Sequence, residues 1–196
     1  MEPRHQPLSI DFFYQPTIEL ARSLLGCLLV KETAEGLASG YIVETEAYMG
    51  AGDRAAHSFG NRRTKRTEVM FGEPGRVYTY VMHTHTLINV VSGEKNIPHA
   101  VLIRAIDPHE GLNLIEKRRK GRKRREWTNG PGKLTEALGI TREDYGRLFT
   151  EWPLYIAPGY IPESISSGPR IGIENTGEAR FHPWRFWVTG NSCVSR

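Results

Sequence analysis

Apolar and polar positions alternate over much of this chain, and short alternating runs predict strands. Extended segments are expected at Cys27–Lys31, Tyr41–Tyr48, Arg76–Met82, Leu87–Val91 and Val101–Ile106, and again at Leu154–Ala157, Arg170–Glu174 and Arg185–Thr189. The helical period is confined to short stretches. Thr17, following Pro16, is placed to cap a helix carrying Ile18, Leu20, Ala21, Leu24 and Leu25, with Gly26 as its stop. Asp107-Pro108 is expected to end the fifth strand before a helix over Gly111–Lys120. Gly130-Pro131-Gly132 precedes a helical stretch, Lys133–Leu138, and Thr141 with Asp144 has the spacing of a capping box. Strands follow one another with few crossover helices between them. That order predicts an α+β protein with a largely antiparallel sheet, in one domain over residues 1–196.

Two carboxylates interrupt this pattern where they are least expected. In Val43-Glu44-Thr45-Glu46-Ala47-Tyr48, strand alternation puts Glu44, Glu46 and Tyr48 on one face. Either this is an edge strand with its polar face in water, or the charges are buried and compensated. Arg104 interrupts the apolar run Ala100-Val101-Leu102-Ile103 in the same way and is a fitting partner for Glu46. An arginine neighbour is expected to keep Glu46 ionised at neutral pH, as a general base requires. Tyr48, Tyr78 and Tyr80 add aromatic faces, with His57 between them in sequence. Such a group can enclose a flat, electron-poor ring beside a carboxylate that holds water.

Charge is concentrated rather than spread. The formal net charge is +4, yet eight of the nine residues from Lys117 to Arg125 are basic; without those eight, 18 basic residues face 22 acidic ones. A second cluster comprises Arg62, Arg63, Lys65 and Arg66. Localised positive charge is the footprint of a polyanion, although a solvated loop has the same composition. Two cysteines, Cys27 and Cys193, exclude a disulfide scaffold and suit a reducing compartment. No apolar run is long enough to cross a bilayer and Met1–Ile10 has no apolar core, so a cytoplasmic protein without membrane contact is expected. His83 and His85 share a strand face, but His-x-His with no further ligand nearby is a weak metal signal, and no metal or cofactor is expected.

Six segments, in order, are similar to the alkyladenine (3-methyladenine) DNA glycosylase family. They are Val43–Gly50 with its Glu-Thr-Glu-Ala-Tyr, Ala55-Ala56-His57-Ser58, Pro74–Tyr80, Leu102-Ile103-Arg104-Ala105, Gly130–Leu134 and Pro183-Trp184-Arg185-Phe186. The resemblance runs from about Ile10 to Ser195. It implies a compact α+β domain with a curved sheet and a protruding β-hairpin. It also implies a monofunctional, metal-independent enzyme of base-excision repair. Such an enzyme flips an alkylated purine (3-methyladenine, 7-methylguanine, with hypoxanthine a further candidate) from damaged duplex DNA and leaves an abasic site. By position, Glu46 matches the general base and Arg104 the residue that fixes Glu46 and its water. Tyr48, His57 and Tyr80 match the walls of the base pocket, and Asn89 an asparagine at its rim.

The family usually carries a tyrosine wedge three residues after Tyr80, where this chain has His83. His83, Met82 and His85 are the wedge candidates, His83 foremost, because something must fill the gap that flipping leaves. Gly132 and Lys133, with Arg118 and Arg122 of the basic run, are expected to hold the DNA backbone. Three rival readings remain: a non-catalytic nucleic-acid binder using the tyrosines as a stacking platform, a metal-dependent nuclease, and a Schiff-base mechanism at Lys133. A monomer with no obligate protein partner is expected.

Overall fold

The longest strand organises the molecule. In the computed structural model, which describes residues 3–195, β1 (Leu28–Thr33), β2 (Gly36–Tyr48), β3 (Val77–Met82), β4 (His85–Ser92) and β5 (His99–Glu110) come first. β6 (Thr150–Glu151), β7 (Leu154–Ala157), β8 (Ile165–Gly168) and β9 (Arg185–Val188) complete one curled sheet. Its order is β3-β4-β5-β2-β1-β7-β6, with β9 on β2 and β8 on β9, and every pairing is antiparallel. β2 pairs with β5 along one edge. Along the other it pairs first with β1 and then, at Glu44–Glu46, with β9. The two carboxylates therefore sit in the middle of a sheet, and the edge-strand reading is excluded.

Period-two alternation divides the sheet into a packing face and a chemical face. Ile42 and Ala47 of β2, Ile88 and Val90 of β4, and Val101 and Ile103 of β5 join the main apolar core. Helices α1 (Thr17–Ser23) and α3 (Pro131–Leu138) bury Leu20, Leu134, Ala137 and Leu138 in that core, and α2 (Leu112–Arg118) adds Ile115. The opposite face carries a cross-strand row, Tyr78–Asn89–Leu102–Glu46–Arg185, in which each residue is paired in register with the next. One sheet thus lines up groups that lie far apart in sequence.

Register shifts set the aim of the charged groups. Ile42 pairs with Ile106, Glu44 with Ala105 and Thr45 with Ile103, which leaves Val43 and Arg104 without a register partner between β2 and β5. Bulges of this kind re-aim side chains, and here they sit at Glu44 and Arg104.

Several local expectations are corrected. β5 does not stop at Asp107-Pro108 but runs to Glu110, because a bulge between Ser39 and Gly40 accommodates the proline that cannot join a regular ladder. Arg170–Glu174 is loop: Pro169 precedes it, and Gly172 turns at φ 76°, in the left-handed region. The strand lies earlier, at Ile165–Gly168, where serine-rich residues gain their partners from β9. Thr17 does not cap α1; Pro16 occupies that position, and the Thr17 hydroxyl instead meets His99 Nδ1 at 3.0 Å and accepts from Ser92 at 3.1 Å. The capping box of Thr141 and Asp144 is present on a single 3₁₀ turn.

Candidate active site

On the chemical face lies a cavity of about 380 Å³, with Tyr48, His57, Tyr80, Asn89 and Arg104 in its lining. Glu46 lies behind that lining, with no solvent exposure. Its Oε2 accepts from the Tyr48 hydroxyl at 2.8 Å and stands 3.4 Å from a terminal nitrogen of Arg104. Its Oε1 accepts the Ile171 N–H at 2.7 Å. Two hydrogen-bond donors and the Arg104 guanidinium hold the carboxylate in one orientation, and all three belong to residues that line the cavity.

Arg104 bridges two carboxylates. Its Nε donates to Glu44 Oε1 at 3.1 Å, while Glu44 also accepts the Ser195 N–H at 2.7 Å and the Ser195 hydroxyl at 2.8 Å. Glu44 is fully buried, with Arg185 3.5 Å away. Arg104 is one of several influences on the ionisation of Glu46. Burial pushes the Glu46 carboxyl up, and Arg104, the Ile171 N–H and the Tyr48 hydroxyl only partly oppose it, with Glu44 adding to the rise. Glu46 therefore ionises at higher pH than a free glutamate.

The aromatic groups do not form two parallel faces. His57 and Tyr80 touch edge to face, with centroids 4.5 Å apart, and so make a single wall. His57 Nδ1 lies 2.7 Å from the Tyr78 hydroxyl, and Tyr78, itself buried, also lines the cavity. Burial, with Arg66 nearby, lowers the His57 pKa to about 4, so its ring is neutral at physiological pH. Burial also pushes the Tyr80 hydroxyl up to about 12, aided by Glu46, and raises Tyr48 well above its ordinary value. All three groups are neutral hydrogen-bonding walls around a charged floor. Asn89 donates to the Tyr78 carbonyl at 3.1 Å, which fixes its amide at the lining.

The three hairpin candidates separate in space. Met82 is 46% exposed and also lines the cavity mouth. His83 forms the two-residue turn with Thr84, at φ 54°. His85 packs on α3: a Cβ on Gly132 would lie 2.6 Å from that of His85, which explains the glycine. Beside this contact a cleft of about 480 Å³ gathers His85, Arg119, Lys120, Arg122 and Lys133 with Glu126 and Glu136. Lys133 donates to Asn129 Oδ1 at 2.8 Å and is absent from the lining of the aromatic cavity. Arg118 is committed internally to Glu35, Thr33 and the Ala137 carbonyl, and its side chain is 12% exposed.

Sequence reasoning missed the groups contributed by the loop after β8. Ile171 acts through its backbone N–H, for which no side-chain signal exists. Arg170, buried and paired with Asp53, carried a readable one: an isolated charge flanked by Gly, Pro and apolar residues. The role of Glu44 was visible in its alternation with Glu46.

A mixed sheet-and-helix protein with a base-sized aromatic cavity over a buried carboxylate defines the class, and comparison with known proteins supplies the family. Residues 11–192 match the model of the methylpurine-DNA glycosylase (MPG) family. The chain belongs to that family, and it is a DNA glycosylase, a hydrolase of N-glycosyl bonds. It is similar to a protein of Bacillus subtilis strain 168 named "Putative 3-methyladenine DNA glycosylase", with 73% identity over 196 residues and the whole of both chains covered. Proteins of the same name from Oceanobacillus iheyensis (55% over 191 residues, 97% of this chain and 96% of the relative) and Listeria monocytogenes serovar 1/2a (50% over 187 residues, 94% and 90%) are similar along nearly their full lengths. No helix among the described residues is long and apolar enough to cross a membrane.

Proposed function

We propose that this enzyme removes alkylated purines, 3-methyladenine and 7-methylguanine foremost, from duplex DNA by hydrolysis with a water activated by Glu46. The observation that carries this reading is the Glu46 carboxylate, fully buried yet held by two hydrogen-bond donors and the Arg104 guanidinium directly behind an aromatic cavity. A nucleic-acid binder gains nothing from burying a carboxylate there.

The reaction then runs as follows. A flipped purine lies against the wall of Tyr80 and His57, with Tyr48 beside it and Asn89 at the rim. An N3- or N7-alkylated purine is cationic, so electron-rich rings attract it by about 0.5–2 kcal/mol per good contact. Glu46 Oε1 carries one hydrogen bond and keeps a free lone pair, which takes the proton of water as its oxygen bonds to C1′. The C1′–N bond breaks and its electron pair leaves with the base, which becomes neutral, so an already cationic base needs no strong general acid. Arg104 holds Glu46 and faces the cavity where the water is bound.

The raised ionisation of Glu46 gives this scheme a pH signature. The active base is the deprotonated form, so single-turnover excision falls on acidification, with a midpoint above the ordinary glutamate value of about 4.3. A rate profile from mildly acidic to neutral pH measures it; a limb centred at or below that value contradicts the assignment.

On the same reading, the cleft of Lys133 and Arg122 holds the backbone and His83 fills the gap left by flipping. Two sets of variants separate these roles. Lys133→Ala with Arg122→Ala is expected to weaken damaged and undamaged duplex equally and to flatten the salt dependence of binding by about one to two counterions. His83→Ala is expected to weaken damaged duplex selectively, since wedging is worth a few kcal/mol only where a base is flipped. Binding isotherms over a salt series distinguish the two; a selective loss from the cleft variant, or none from His83→Ala, reverses the assignment.

A further inference from the structure

The geometry points to Arg170, clamped by Asp53, as a positioning residue that sets the catalytic carboxylate through the backbone N–H of its neighbour Ile171. This inference rests on the reading of Glu46 as the general base. Neither Arg170 nor Asp53 lines the cavity, and both side chains have zero exposure. The Arg170 guanidinium forks onto the Asp53 carboxylate, with one bond at 2.9 Å, and also donates to the Ala47 carbonyl at 2.9 Å and the Ala179 carbonyl at 3.2 Å. Its plane lies 4.7 Å from the Tyr48 ring centroid and 5.0 Å from that of Trp184. Asp53 in turn accepts the Met49 and Ala55 N–H groups, each at 3.0 Å.

One buried ion pair therefore ties together three separate pieces of the site. They are the end of β2 with Ala47 and Tyr48, the loop that carries Arg54, Ala55 and His57, and the loop that carries Ile171, Gly172 and Ile173. The last of these is irregular chain with no ladder to hold it, and Gly172 at φ 76° turns it away immediately after the donor. The next residue along from Arg170 delivers the 2.7 Å bond to Glu46 Oε1. A donor on an unladdered loop holds its aim only if something else fixes that loop, and the Arg170 fork is the strongest directional contact available there. The fork thus serves the ionised form of Glu46, because an N–H donated to a carboxylate favours its charged state. Burial pushes the Asp53 carboxyl up, but Arg170 and two backbone donors outweigh this and hold it below its ordinary value, so the pair stays charged.

The test compares Arg170→Lys with a protein in which Ile171 is replaced by its α-hydroxy acid, so that the N–H becomes an ester oxygen. Lysine keeps the charge and loses the fork; the ester removes the single hydrogen bond and leaves every side chain in place. Both are expected to move the acidic limb upward by about one pH unit and so to slow single-turnover excision about tenfold on that limb and less at neutral pH, while affinity for lesion-containing duplex stays within about twofold. Slowing without movement of the limb would make the clamp a structural support only and overturn the proposal, as would wild-type rates in both folded proteins. If Arg170→Lys fails to fold, the ester protein decides the matter by the same two readouts. Glu46→Gln serves as the separating control. If it still excises the base, the general-base reading fails first; if it is inactive while both proteins keep the wild-type limb, only the clamp is wrong.

Discussion

Glu46→Gln is expected to bind lesion-containing DNA as the wild type does and to excise the base about 10²–10⁴-fold more slowly, the usual contribution of a general base. The amide oxygen still accepts the Ile171 N–H, and the amide NH2 can donate to the Tyr48 oxygen once that hydroxyl turns round, so the side chain keeps its place. Arg104 is not orphaned, because Glu44 still accepts its Nε. Folding stability follows a definite sign. A carboxyl whose pKa is raised on folding contributes stability that is full below its unfolded pKa and is lost as pH rises through the folded one. At neutral pH the Glu46 charge is therefore a cost to the fold, and the glutamine protein should be at least as stable as the wild type. Single-turnover kinetics with thermal unfolding measure both; undiminished excision by a folded variant removes Glu46 from the role.

Arg104→Ala is expected to be the most damaging single truncation at this site. Two fully buried carboxylates, Glu44 and Glu46, lose the guanidinium between them, and breaking a buried pair by removing one partner costs about 3–5 kcal/mol. With the opposing positive charge gone, the Glu46 carboxyl rises further. The loss should then be largest at neutral and alkaline pH and smaller in mild acid, where protonation relieves the repulsion. Denaturant titrations at several pH values read this directly. A destabilisation below about 1 kcal/mol that does not vary with pH would mean that Arg104 does not balance these charges.

Most of the frame that carries these groups was legible in the chain. Alternation in β2 placed Glu44, Glu46 and Tyr48 on one face, and the isolated Arg104 in an apolar strand pointed to its partner. The resemblance supplied His57, Tyr80 and Asn89, and the cavity brings them together. What stayed hidden depends on long-range geometry. That β2 is central follows from β9 returning from residues 185–188 to its open edge, which no local pattern announces. The burial that raises Glu46 follows from the same closure. Arg170–Glu174 has the residue types of a strand, yet Gly172 and the Arg170–Asp53 pair make it the loop that delivers a backbone donor. Pro108 misled for a related reason, because a bulge in the partner register can absorb a proline that a regular ladder rejects. The partners of Arg118, Glu35 and the Ala137 carbonyl, were likewise hidden because they lie elsewhere in the chain.

The central claim is hydrolytic removal of an alkylated purine, and product analysis tests it most directly. Methylated duplex DNA is incubated with the wild-type protein in excess EDTA, and the released bases and the state of the strand are determined together. The account predicts free 3-methyladenine and an abasic site in an unbroken strand, with release lost in Glu46→Gln. Strand breaks without alkaline treatment, or no free base from a folded protein that binds the DNA, would contradict it.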